Sequence, residues 1–166
     1  MPLNAAEQDA RDLLDTVWWD DAKSDIPIPV DVFRVARKLG LQVYLADMPP
    51  DVSGTLSRDD RGNAVIYLNR DDAQTRQRFT CAHEIGHYRS RTKHKRADLN
   101  FVDYRSTLAA LGTDRDEIWA NQFAAGLLMP ADKVRELKAL GPDFLATFFG
   151  VSKQAMELRF RNLRLS

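Results

Sequence analysis

Apolar residues recur at helical spacing toward both ends of the chain and alternate with polar ones only between residues 41 and 69. From Ala5 to Trp19, Ala6, Ala10, Leu13, Leu14 and Val17 fall on one helical face. Asn4 suits the N-cap, and Glu7 three residues on suits a capping box. Ile26-Pro27-Ile28-Pro29 reads as an extended connector, because each proline disfavours helix before it. A second helix is expected over Val30–Leu39, with Val32, Val35, Ala36 and Leu39 inward and Gly40 as its stop. Three strands follow, Leu41–Ala46, Val52–Ser57 and Asn63–Asn69, with turns at Pro49-Pro50-Asp51 and Asp59-Asp60-Arg61-Gly62. They predict a small meander in which the last strand leaves an exposed edge. Asp71-Asp72 is expected to open a long helix to Arg89, its acidic start matching the helix dipole. A polar, basic loop should then run to Asn100, with a short helix within Phe101–Leu111. Helices over Asp114–Met129, Ala131–Leu140, Pro142–Phe149 and Ser152–Asn162 complete the chain, separated by Pro130, Gly141 and Gly150-Val151.

No βαβ alternation is visible, so the pattern predicts an α+β fold, mostly helical, with a small three-stranded sheet. One domain is expected: an N-terminal helix and connector over 1–29, a core over 30–140, and a C-terminal helical pair over 141–166 packed on that core. The 166 residues and 44% hydrophobic content fit such a globular unit and exclude a disordered or collagen-like chain. Twenty-four basic and 24 acidic residues cancel, so bulk charge favours neither nucleic acid nor membrane. A single Cys excludes an internal disulfide, and neither a signal peptide nor a membrane span is legible at the N-terminus or elsewhere; a cytoplasmic protein is expected.

The chemistry sits in His83-Glu84-Ile85-Gly86-His87, an H-E-x-x-H motif inside the long helix. Residues i and i+4 share a helix face, so both imidazoles reach one metal ion. Glu84 lies about 100° round the helix from His83 and is suited to act as general base on a water rather than as a ligand. Gly86 leaves room for another element to approach closely.

A catalytic zinc needs a third protein ligand. The template H-E-x-x-H-x-x-G-x-x-H fails here, since Arg89 and Lys93 occupy its last two positions and His94 falls one residue late. Cys81 lies about 160° from His83 and points away. Of the three Glu after His87, Glu136 and Glu157 belong to charged segments. Glu117 shares a helical stripe with Ala120, Asn121, Ala124 and Leu128. A carboxylate on so apolar a face needs a partner or a metal, which makes Glu117 the expected third ligand and Asn121 its supporting polar neighbour. Zinc is the expected ion, with manganese also compatible with two His and a carboxylate.

His83-Glu84-Ile85-Gly86-His87, followed by Glu117-Ile118-Trp119-Ala120-Asn121-Gln122-Phe123-Ala124-Ala125-Gly126-Leu127-Leu128-Met129-Pro130, resembles the ImmA/IrrE family of metallopeptidases, which carries H-E-x-x-H and then E-x-x-A-N-x-F-A-x-x-L-L-M-P. The strand Ala64–Asn69 and the tail Phe149-Gly150-Val151-Ser152 with Arg159-Phe160 and Asn162-Leu163 extend the likeness over about residues 30 to 165. The resemblance implies a zincin-like core of the gluzincin type, with His83, His87 and Glu117 as metal ligands and Glu84 as base. It also implies an endopeptidase that cleaves a helix-turn-helix transcriptional repressor in a phage, mobile-element or stress regulon.

A substrate peptide is expected to add along the edge near Asn63–Asn69. Tyr88 and Tyr104 are the candidate oxyanion partners. The basic run Arg89, Arg91, Lys93, His94, Lys95 and Arg96 is expected to be a solvated loop. The C-terminal pair has helix-turn-helix proportions, with Arg159, Arg161 and Arg164 along its second helix. The competing reading is therefore a non-catalytic DNA- or partner-binding module that retains a metal site. The sequence sets no oligomeric state.

Overall fold

The structure, a computed structural model, describes residues 3–93, 101–104 and 115–165. Helix α1 (Ala5–Val17) starts as its pattern predicts, with Asn4 Oδ1 accepting from the Glu7 amide at 2.9 Å. Glu7 does not complete a capping box; its carboxylate pairs with Arg159 near the other end of the chain. Helix α2 (Val32–Lys38) is capped by Asp31, whose Oδ1 accepts from the Arg34 amide at 3.0 Å.

The α+β class holds, but the sheet is not a meander. Strands β1 (Gln42–Ala46), β2 (Val52–Arg58), β3 (Ala64–Asn69) and β4 (Phe101–Tyr104) form a mixed four-stranded sheet in the order β1-β3-β2-β4. Strands β1 and β3 are parallel, while β2 is antiparallel to both β3 and β4. A tight turn joins β2 to β3, with the Asp59 amide donating to the Asn63 carbonyl at 2.9 Å. Strand β3 is therefore interior. Its Val65, Ile66 and Leu68 are all buried, covered on both faces, and it has no free edge for a substrate. The outer strands are β1 and β4. On the edge strand β1, Leu45 is 51% exposed.

Helix α3 (Gln74–Lys93) begins later and ends later than its sequence pattern suggests. Asp71 and Asp72 form a turn on Asn69 instead of a helical start, the Asp71 amide donating to Asn69 Oδ1 at 3.0 Å. At its far end, Arg89 and Lys93 continue the helix and clasp Asp9 of α1. Strand β4 takes the first four residues of the stretch within which a short helix was expected; the rest of that stretch lies outside the described residues. His94, Lys95 and Arg96 lie outside the described residues. Among the described residues four helices follow: α4 (Arg115–Leu128), α5 (Ala131–Leu137), α6 (Gly141–Phe149) and α7 (Lys153–Leu163), with a 3₁₀ turn at Lys138–Leu140.

One apolar cluster unites these elements. Leu14 of α1, Val35 of α2, Leu56 and Ile66 of the sheet, Ile85 of α3, Phe123 of α4, Phe149 of α6 and Met156 of α7 all belong to it. Arg78 of α3 donates to the Gly150 carbonyl at 2.9 Å and the Phe149 carbonyl at 3.2 Å, tying the end of α6 to the H-E-x-x-H helix. Arg159 is buried and binds Glu7 and the Met129 carbonyl, so it does not decorate an exposed face of α7 as expected; Arg161 and Arg164 are exposed.

Candidate metal centre

Two close contacts place helix α3. A Cβ on Gly54 of β2 would lie 2.5 Å from Thr80 Cγ2, so the helix rests directly on the sheet there. On another side, a Cβ on Gly86 would stand 3.1 Å from Ala120 Cα and 3.2 Å from Phe123 Cδ1. The expectation that Gly86 admits a second element is met by α4. Thr80 and Glu84 are one turn apart, so Glu84 lies on the side of α3 that faces β2. His83 and His87 meet α4.

At that crossing Glu117 reaches both imidazoles. Its Oε1 is 3.1 Å from His87 Nε2, and its Oε2 is 3.4 Å from His83 Nε2. The two Nε2 atoms are 2.9 Å apart. His83, His87 and Glu117 thus bring one donor atom each within 4.8 Å of the others, a spacing that admits a metal ion between them. His83 and Glu84 are completely buried, and Glu117 is only 6% exposed.

Asn121 decides what His83 presents. It follows Glu117 by one helical turn, and its Oδ1 lies 3.0 Å from His83 Nδ1. A carbonyl oxygen only accepts, so Nδ1 carries the proton and Nε2 presents a lone pair in the neutral ring. That lone pair faces the Glu117 carboxylate and the other imidazole nitrogen. Burial is the largest influence on His87 and lowers its pKa, with the pull of Glu117 opposing, so the His87 ring favours the neutral form a metal requires. Burial by itself would raise the Glu117 pKa, but the two imidazoles beside the carboxylate outweigh it and bring the pKa down to about 2. The result is a carboxylate and imidazole nitrogens converging in a buried space. The donors of such a set are those that suit zinc.

Residues 36–161 match the family model described as the IrrE N-terminal-like domain, Peptidase_M78. The chain belongs to this family. Its site is accordingly that of a metallopeptidase-type domain, with a buried His-His-Glu group able to hold a metal. In overall structure the chain is similar to a Mycobacterium tuberculosis transcriptional regulator, with a TM-score of 0.63 and 18% identity over 95% of this chain and 47% of that one. At this identity the likeness concerns the fold, and the chain spans about half that protein's length. No curated protein matches it by sequence.

The remaining residues singled out by sequence separate from this group. Cys81 is buried on another face of α3, where burial raises its thiol pKa strongly. Glu136 pairs with Lys133 on the surface. Tyr88 is half-buried and packs against the apolar core; the Tyr104 side chain lies outside the described residues. Asp9 was missed. It is buried between Arg89 Nη2 and Lys93 Nζ, each at 2.5 Å from Oδ1, and joins α1 to the end of α3. Its signal was present: Asp9 sits among Ala6, Ala10 and Leu13 on the apolar stripe of α1. Arg89 and Lys93 are thus partners of a buried acid, contrary to the expected solvated loop.

No helix among the described residues is long and apolar enough to cross a membrane.

Proposed function

We propose that this chain is a zinc-dependent endopeptidase that cleaves a helix-turn-helix transcriptional repressor and so relieves repression. The carrying observation is the convergence of His83 Nε2, His87 Nε2 and Glu117 in a buried space, with Asn121 holding the His83 proton on the opposite ring nitrogen. In this reading His83, His87 and Glu117 hold the ion, and manganese is compatible with the same donors. Bound there, a divalent cation supplies Lewis acidity that lowers the pKa of water at the site.

The chain's own residues carry the proton. Glu84 projects from the turn that bears the ligands but toward β2, a position from which it would act on water at the site without serving as a ligand. It accepts the proton of the attacking water and delivers it to the nitrogen of the leaving amine. Its buried setting strengthens that exchange, because a low dielectric magnifies each charge movement. The protein nature of the substrate follows the peptidase family, and the repressor follows the resemblance in sequence. A cytoplasmic location accords with both.

The test combines zinc analysis of the purified protein with cleavage of a helix-turn-helix repressor encoded near its gene, for wild type and Glu84→Gln. Cleavage by wild type alone, with zinc in both, is the expected outcome. Zinc in both proteins and equal cleavage would remove Glu84 from the mechanism. Absence of cleavage together with sequence-specific DNA binding would favour the regulatory-module reading.

A further inference from the structure

We infer that Asn121 is a positioning residue that fixes the tautomer and orientation of His83 and thereby sets metal affinity. The inference rests on the metal-site reading above.

Three features converge on it. First, Asn121 Oδ1 lies 3.0 Å from His83 Nδ1, a normal hydrogen-bond distance, in a place where His83 has no exposure to solvent. Second, Asn121 stands one turn beyond Glu117 on α4, so a single turn of one helix supplies both a ligand and the support for a ligand from another helix. Third, α4 approaches α3 at Gly86, where Ala120, the residue before Asn121, is backbone-close. The depth of that contact holds the amide against the imidazole.

The chemistry follows from the acceptor. A neutral imidazole divides its proton between two nitrogens, and only the deprotonated one ligates. An acceptor at Nδ1 places the proton there and frees Nε2. It also stops the ring from turning about its Cβ–Cγ bond, so the ligand is ordered before the ion arrives. An amide oxygen does this without adding negative charge. A carboxylate in the same place would draw the Nδ1 proton more strongly and make Nε2 a more basic ligand. The identity of residue 121 therefore tunes binding through His83, with no contact to the ion required.

The test uses the full chain stripped of metal and titrated with Zn2+ against a chromophoric chelator, with thermal unfolding of each metal-free protein alongside. Asn121→Leu keeps the side-chain volume but removes the acceptor. It is expected to weaken Zn2+ binding about 10–100-fold, the usual range for loss of such a partner. Asn121→Asp retains an acceptor and is expected to bind Zn2+ at least as tightly as wild type. Its Co2+ complex should have a shifted visible band, a change that a purely structural role would not produce. Equal affinity in wild type and Asn121→Leu would overturn the inference, as would equal losses in Leu and Asp variants. Should Asn121→Leu fail to fold, Asn121→Asp alone decides, since weaker binding or an unshifted Co2+ band contradicts the proposal. If wild type itself binds no Zn2+, the metal-site reading fails, a result distinct from any of these.

Discussion

Helix α3 takes part in two clusters of ionisable side chains less than three turns apart, each around a buried carboxylate, and they behave in opposite ways. Toward its C-terminus Arg89 and Lys93 enclose Asp9, and opposite charges satisfy one another. One turn earlier His83 and His87 meet Glu117, and the groups that converge are all electron-pair donors. The first cluster is complete as it stands and fastens α1 to α3. The second gathers donor atoms of the kind that hold a metal ion. Burial of charge is thus no mark of function by itself; what distinguishes the two is the kind of groups that meet, opposite charges in one and metal-ligand donors in the other.

Substitutions can separate the two clusters. The largest expected effect is at Glu117. Glu117→Ala should weaken Zn2+ binding by more than about 100-fold while the protein remains folded, as read by chelator competition and circular dichroism. Retention of tight binding would remove Glu117 from the ligand set. Next is Gly86→Ala. A methyl group there meets the Ala120 backbone and the Phe123 ring, so α4 must move by a few tenths of an ångström and carry Glu117 with it. Zn2+ affinity should fall roughly 10-fold, within the range for disturbed supporting contacts, and an unchanged affinity would show that the helix spacing does not set the site.

At the other cluster the effect is on stability alone. Asp9→Asn should cost about 2–3 kcal/mol through lost charged hydrogen bonds, a fall in Tm of roughly 5–10 °C, with Zn2+ affinity unaltered. A changed affinity would mean that the clusters are coupled along α3. The smallest effect is the pH dependence of that cost. Burial works to raise the Asp9 pKa, but hydrogen bonds and charge from Arg89 and Lys93 outweigh it and leave the pKa below its usual value. A depressed carboxyl pKa contributes stability above the unfolded-state value and loses it as pH falls through the folded-state one. The gap in stability between wild type and Asp9→Asn should therefore be full near neutrality and narrow below about pH 4. A gap independent of pH would contradict the ion-pair account.

The sequence made some of this legible and concealed the rest. His83, His87 and Glu84 were readable because helical spacing is a local property. Glu117 was readable because a lone acid interrupted an apolar stripe, and the structure brings it within 3.4 Å of both imidazoles. Asp9 carried the same kind of signal on α1, but its partners lie 80 residues or more along the chain and local periodicity does not identify them. The sheet was misread for a related reason. Alternation predicts a strand and its inward face but not its neighbours, so β3 looked like an edge although β1 and β2 enclose it. The helix boundaries of α3 moved because Asn69 holds Asp71 in a turn and Asp9 extends the far end, both through side-chain contacts.

The most direct test of the central claim is the rate at which the zinc-loaded protein cleaves its repressor substrate, compared between wild type and Glu84→Gln at equal, measured zinc content. The account predicts one zinc per chain in both proteins and a fall in rate of about 10²–10⁴-fold in the variant, the contribution expected of a positioned general base. Equal rates at equal zinc content would contradict it.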